Sequence, residues 1–182
     1  RMIYHAAKNM DVIFVLGAVS EGVPTTMVAK LLGKKCIMRI PGDYAWEMGM
    51  QQLPDSTEES LDRFLTRKHG GRIGFYEKIE RWTAHQADRI LVPSAYLQSV
   101  VERWGIPTKR IELIKNAVRE LAGKNARAER RETFHLSDRV VCLTAVRAVP
   151  WKGVGDLIDW WHRLPASHVL VVAGDGPELD GW

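Results

Sequence analysis

A chain of 182 residues, 46% hydrophobic and 26% charged, has the make-up of an ordinary soluble globular protein, long enough for one large domain or for one domain and part of another. Its 26 Lys and Arg against 22 Asp and Glu leave a net charge of +4, which suits anionic ligands but is too small an excess to argue for nucleic acid. No apolar run approaches the length of a membrane span, no signal peptide opens the chain, and the six histidines lack metal-ligand spacing, so a cytoplasmic protein without a metal is expected.

In chain order, Met2 to Asn9 reads as the tail of a helix, and 11–16 is a continuous apolar run of the kind buried on both faces of a parallel sheet. A loop over 17–22 leads to a helix predicted over 23–32, with Pro24 in its first turn and Gly33 ending it. The next strand, 35–40, leaves into 41–47, and 48–55 read as irregular. Ser56-Thr-Glu-Glu59 has the form of a capping box for a helix reaching about Lys68. Gly70-Gly71 breaks that helix, and Ile73, Tyr76, Ile79 and Trp82 then recur at helical spacing up to about Gln86. A strand over 89–92 precedes Ser94, which caps a helix over 95–104 that Gly105 closes. A further strand follows over 110–114.

From 119 to 138 the chain turns polar and charged, with a basic cluster from Arg127 to Arg131. It reads as an interdomain connection, with domains 1–118 and 139–182 on either side. The cluster reads as a solvated face; its sharper reading is a weak peripheral contact with an anionic membrane at the inner face. Strands over 139–145 and 168–173 bracket a helix over 156–164. There Leu157, Trp160, Trp161 and Leu164 read as core packing rather than a base-stacking platform. Cys36 and Cys142 fall inside strand-like runs and read as small core residues in a reducing compartment. Met2 already lies in a helical pattern and the chain stops just past a strand and turn, so a fragment is expected.

Strands alternating with helices predict an α/β fold with parallel sheet covered on both faces. In such sheets ligands gather at the carboxyl ends of strands, and the loops 17–22, 41–47, 93–94, 147–153 and 174–178 all leave such ends. The richest is Leu143-Thr-Ala-Val-Arg-Ala-Val-Pro-Trp-Lys-Gly-Val-Gly155. Arg147 and Lys152 stand at the strand's exit, and Gly153 and Gly155 open a helix whose free N–H groups lie beside them. That set suits an anion with several oxygens, such as a diphosphate, better than a single carboxylate. The bland alternative is a loop whose two cations sit in water.

Val92-Pro-Ser-Ala-Tyr-Leu97, Trp104-Gly-Ile-Pro107 and Ile111-Glu-Leu-Ile-Lys-Asn-Ala-Val118, followed by Arg147-Ala-Val-Pro-Trp-Lys-Gly153 and Val172-Ala-Gly-Asp-Gly-Pro-Glu178, resemble in order and spacing the retaining glycosyltransferases of family 4. The resemblance implies the GT-B fold, two Rossmann-like domains facing one another across a cleft, both incomplete here. It implies a nucleotide-diphosphate sugar bound mainly by the C-terminal domain and an acceptor (glycan, lipid or small molecule) bound mainly by the N-terminal one, with no cofactor and no metal. Arg147 and Lys152 fall on the family's two diphosphate-contacting positions, and Gly174 and Gly176 on the nucleotide side. Gly22, Asp43 and Ser94 are the candidates for contact with sugar or acceptor, although Gly42-Asp43 is also an ordinary turn pair.

The chain departs from the family at Val146, where a Gly is common, and at Asn116-Ala-Val-Arg119, where Asn-Gly-Val-Asp is common. Many members carry a His after the strand equivalent to 35–40; here Pro41-Gly42-Asp43 stands there, so no catalytic His is carried over. The family's Glu-x7-Glu motif would lie beyond Trp182, which leaves the catalytic residues unassigned and predicts a fragment inactive alone. Two alternatives remain open: a nucleotide-sugar epimerase of the same fold, and a non-catalytic sugar-nucleotide-binding module.

Overall fold

A computed structural model describes residues 2–52, 60–118, 127–136 and 138–182. The chain divides into two compact units, Arg1–Ala117 and Val118–Trp182. The first carries α1 (Met2–Ala7), β1 (Val12–Leu16), α2 (Gly22–Leu31), β2 (Lys35–Arg39), α3 (Tyr44–Gln52), α4 (Leu61–Thr66), α5 (Gly71–Gln86), β3 (Arg89–Val92), α6 (Ala95–Arg103) and β4 (Ile111–Leu113). Its four strands are parallel and lie side by side in chain order. Their register sets Val15, Met38, Ile90 and Ile111 in one row across the sheet.

That row is the middle of the core. Cys36, Ile40 and Val92 extend it along the strands, and Ala29 of α2, Ala84 of α5 and Val100 and Val101 of α6 cover it. Each buried aliphatic side chain of this size contributes about 1.5–3 kcal/mol. The opposite side of the sheet is less well covered: on β1, Val12, Phe14 and Leu16 are 49%, 54% and 59% exposed, and Ile37 and Leu91 beside them are half-buried. The expected burial on both faces is therefore met in full on one face only, because the helices that follow β1, β2 and β3 all contribute to one shared core.

Local signals place most boundaries. Gly33 takes φ +63, and N–H groups of Gly33 and Lys34 close the end of α2 on the carbonyls of Lys30 and Ala29. The hydroxyl of Ser94 accepts from the Leu97 N–H at 3.2 Å, capping α6 as expected. The capping box at 56–59 lies outside the described residues; Ser60 caps α4, accepting from the Arg63 N–H.

One expectation fails in this unit. Residues 48–52, read as irregular, belong to α3, whose first N–H groups are held by carboxylates of Asp43 and of distant Glu80. The stripe Ile73, Tyr76, Ile79, Trp82 does lie in a helix, α5, as its spacing predicts; the residues that α5 buries are Gly74, Glu80, Thr83 and Ala84, while Trp82 is 47% exposed. Small residues let α5 lie close to its neighbours, and the bulky stripe sits at the margin.

The second unit carries α7 (Arg127–Thr133), β5 (Val140–Ala145), α8 (Val154–Trp161) and β6 (His168–Ala173). Strands β5 and β6 are parallel and paired over their whole length, Val140 with His168 through Ala145 with Ala173. Much of the polar connection lies outside the described residues, but its basic cluster falls in α7. Cys142 is exposed, not core, and Trp160 is 47% exposed rather than packed. Two strands with one helix between them offer too little surface to bury both faces, so Val154 is the buried residue of α8.

Candidate functional site

At the carboxyl ends of β5 and β6 the pairing outlasts the strands. The Val146 N–H reaches the Ala173 carbonyl at 3.0 Å, the Ala148 N–H reaches that of Asp175 at 2.9 Å, and the Glu178 N–H returns to Ala148 at 3.2 Å. Gly174 (φ +149) and Gly176 (φ +155) permit this approach. The structure therefore gives both glycines a packing reason, whatever else passes near them.

This zipped backbone anchors the loop that carries the cations. Ala148 and Val149 are buried at 1% and 2% exposure, and Val154 is buried at 2%. Arg147, just before them, and Lys152, between Val149 and Val154, are exposed. Pro150–Lys152 forms a 3₁₀ turn, and Gly153, at φ +65, is the N-cap of α8 with no side-chain hydrogen bond to the helix. Among the described residues neither Arg147 nor Lys152 has an ion-pair partner. Two unpartnered cations next to an uncapped helix start form a place where negative charge is stabilised.

In the first unit, the three candidates for sugar or acceptor contact are each engaged internally. Gly22 is buried at the start of α2, where a Cβ would stand 2.8 Å from the Gly17 carbonyl oxygen and 3.0 Å from Cγ2 of Thr83. Asp43 is 3% exposed, and its Oδ1 accepts from the Trp46 N–H at 2.8 Å. The hydroxyl of Ser94 serves as the α6 cap.

The carboxyl ends of β1 and β2 do enclose a recess of about 110 Å³, lined by residues 17–21, Pro41, Gly42, Tyr44, Glu47 and Glu80. Glu80 was not singled out in the sequence. It is 2% exposed; Oε1 accepts from the Tyr44 N–H at 2.9 Å and Oε2 from the Ala45 N–H at 3.2 Å. Burial, then the neighbouring Asp43 charge, pushes its carboxyl up to about 8, against the pull of those two N–H groups. Burial likewise raises Asp43 to about 6, opposed by the Trp46 N–H. The available signal was spacing: Glu80, Thr83, Ala84 and Ala87 recur at i, i+3, i+4 and i+7, a small-residue face with one acid on it.

A larger recess of about 630 Å³ lies at the other end of the strands, against Lys35, Arg89, Lys109 and Arg110. Three of its four cations already serve the fold: Lys35 pairs with Asp88 at 2.8 Å, Arg89 donates to the Lys109 carbonyl and Arg110 to those of His85 and Ala87. Among the described residues no group of three or more His, Cys, Asp or Glu is placed to hold a metal ion, and no helix is long and apolar enough to cross a membrane.

Comparison with solved structures finds the same architecture. The crystal structure of Anabaena Alr3699/HepE in complex with UDP and glucose matches with a TM-score of 0.76 at 15% identity, over 98% of this chain and 44% of that one. The fold is GT-B. The same protein in complex with UDP-glucose matches at a TM-score of 0.74, again at 15% identity, over 96% of this chain and 42% of that one. This chain thus spans less than half the length of those structures. In sequence, residues 56–120 match the profile of Glycosyltransferase Family 4. Among curated proteins nothing matches.

Proposed function

We propose that this chain is part of a retaining glycosyltransferase that moves a sugar from a nucleotide-diphosphate donor to an acceptor. The observation that carries the reading is the pair Arg147 and Lys152, both exposed and without an ion-pair partner among the described residues, at the exit of β5 beside the uncapped start of α8. The family match over 56–120 and the likeness to a structure holding UDP-glucose support it.

The chemistry follows from charge. As the bond between the anomeric carbon and the diphosphate oxygen breaks, its electron pair stays on the diphosphate. Two fixed cations and oriented N–H groups stabilise that growing charge more in the transition state than in the donor. This supplies what a metal would otherwise supply, so the reading needs none. Retention has the acceptor attack from the face the diphosphate leaves. Donor contacts belong to the second unit and acceptor contacts to the first. In this reading the protein works in the cytoplasm, with α7 offering a weak contact to anionic membrane.

The test is to incubate the intact protein with UDP-glucose and candidate acceptors and to identify products by mass and anomeric configuration. A retained glycoside supports the transferase. An epimerised nucleotide sugar, or tight binding without turnover by the intact protein, would replace it with one of the two alternatives.

A further inference from the structure

The recess at the carboxyl ends of β1 and β2 has one wall, residues 41–47, that its own sequence fixes only in part. Pro41-Gly42-Asp43 is a turn, α3 starts directly after it, and Asp43 caps the helix by accepting from the Trp46 N–H. The rest of the fastening comes from 36 residues further on, in the middle of α5. Three consecutive N–H groups at the start of α3, those of Tyr44, Ala45 and Trp46, end on carboxyl oxygens, two on Glu80 and one on Asp43. The packing is close: a Cβ on Gly42 would stand 2.7 Å from Oε1 of Glu47.

The same stretch of α5 touches the other wall. Thr83 lies against Gly22, where α2 starts and the 17–21 loop ends. Glu80 and Thr83 are one turn apart, so a single turn of α5 references both sides of the recess. An acid is an expensive residue to bury for capping alone. Glu80 faces Asp43 and Glu47 from the wall it holds and shares the recess with Glu21; Glu77 and Arg81, from the same helix as Glu80, act on Asp43, and Tyr76 stands edge-on to Tyr44 at 5.3 Å.

We propose that Glu80 is a positioning residue: it fixes the 41–47 wall relative to the β1–α2 loop and so sets the opening that receives the acceptor. That the occupant is an acceptor rests on the glycosyltransferase reading; the clamp does not. Because Glu80 holds a proton more tightly when the wall is closed than when it is open to water, the clamp loosens as that proton is lost.

Amide hydrogen exchange on the intact protein tests this, comparing wild type with E80Q and E80A across pH. In wild type, protection of 41–52, corrected for intrinsic exchange, should fall as pH rises from about 4.5 towards about 8 and then level off. E80Q, which cannot ionise, should remove the part of that fall above about pH 6 and leave below it the part that Asp43 contributes. E80A should speed exchange in 41–52 by about tenfold at the acid end, through loss of the N–H acceptors, and leave α6 unchanged. The proposal is overturned if wild-type protection shows no such fall, or if E80A loosens α2, α5 and α6 as much as 41–52. Should E80A fail to fold, the contrast between wild type and E80Q decides alone. Titration with UDP and UDP-glucose separates the two ideas: no binding by wild type would sink the transferase and leave the exchange contrast standing.

Discussion

Gly174 and Val146 meet backbone to backbone: a Cβ on Gly174 would stand 1.8 Å from the Val146 carbonyl oxygen. Gly176 repeats the relation one step on, at 2.3 Å from the carbonyl oxygen of Ala148. The two strand exits are therefore locked to each other, and the cation-bearing loop inherits its position from that lock. G174A should cost about 3 kcal/mol or more, since strain at a positive φ adds to a backbone clash that no rotamer relieves. Thermal unfolding of the second unit reads this out, and an unchanged midpoint would refute the lock.

R147A and K152A bear on the donor. Each should lower kcat/KM for a nucleotide-sugar donor by roughly a hundredfold, about 3 kcal/mol of transition-state stabilisation. The unfolding midpoint should not move, because both side chains are exposed and neither has an ion-pair partner among the described residues. R147K should recover only part of the loss, since a point charge cannot contact two phosphate oxygens as a guanidinium does. Equal kinetics for wild type and both alanine variants would remove these residues from the site.

The sequence and the structure agree where local chemistry decides. The strands 89–92 and 168–173 and the ends at Gly33 and Ser94 were legible because alternation, β-branched runs, αL glycines and hydroxyl caps act within a few residues. What stayed hidden depends on distant partners. The one local signal for the helix that includes 48–52 is the Asp43 cap; two other acceptors of its first N–H groups are supplied from Glu80. Asp43 stood as a candidate for ligand contact, yet its carboxylate is buried and caps α3 through the Trp46 N–H, the local role that the turn reading allowed. The cations could be located from sequence; the glycines facing them could not be seen to lock two loops, since that contact spans β5 to β6.

Ser94 offers a direct choice between cap and ligand contact. Its hydroxyl already accepts from the Leu97 N–H, so S94A should cost about 1 kcal/mol in stability. S94G should cost only a few tenths, as glycine is tolerated at N-caps. If the cap is its whole role, acceptor KM and donor KM stay unchanged in S94A once the protein is shown to be folded. A raised acceptor KM with stability intact would instead make Ser94 part of the binding surface.

The buried acid pair gives the first unit a pH dependence with a definite sign. The carboxyl of Glu80 rises from 4.5 to about 8 on folding, chiefly by burial, so the folded state binds its proton more tightly than the unfolded state. The stability this proton supplies is fully present below pH 4.5 and is lost as pH rises to about 8, beyond which nothing further changes. Asp43 acts in the same sense over a lower window, from 3.8 to about 6. The maximal slope for one such group is about 1.4 kcal/mol per pH unit. E80Q keeps the shape of the protonated acid and does not titrate. Its unfolding midpoint relative to wild type should therefore climb steadily between acid pH and mildly alkaline pH, whatever the Gln costs in hydrogen bonding. Parallel midpoints for the two proteins over that range would mean that Glu80 stays ionised in the fold, held by the Tyr44 and Ala45 N–H groups against the cost of its burial.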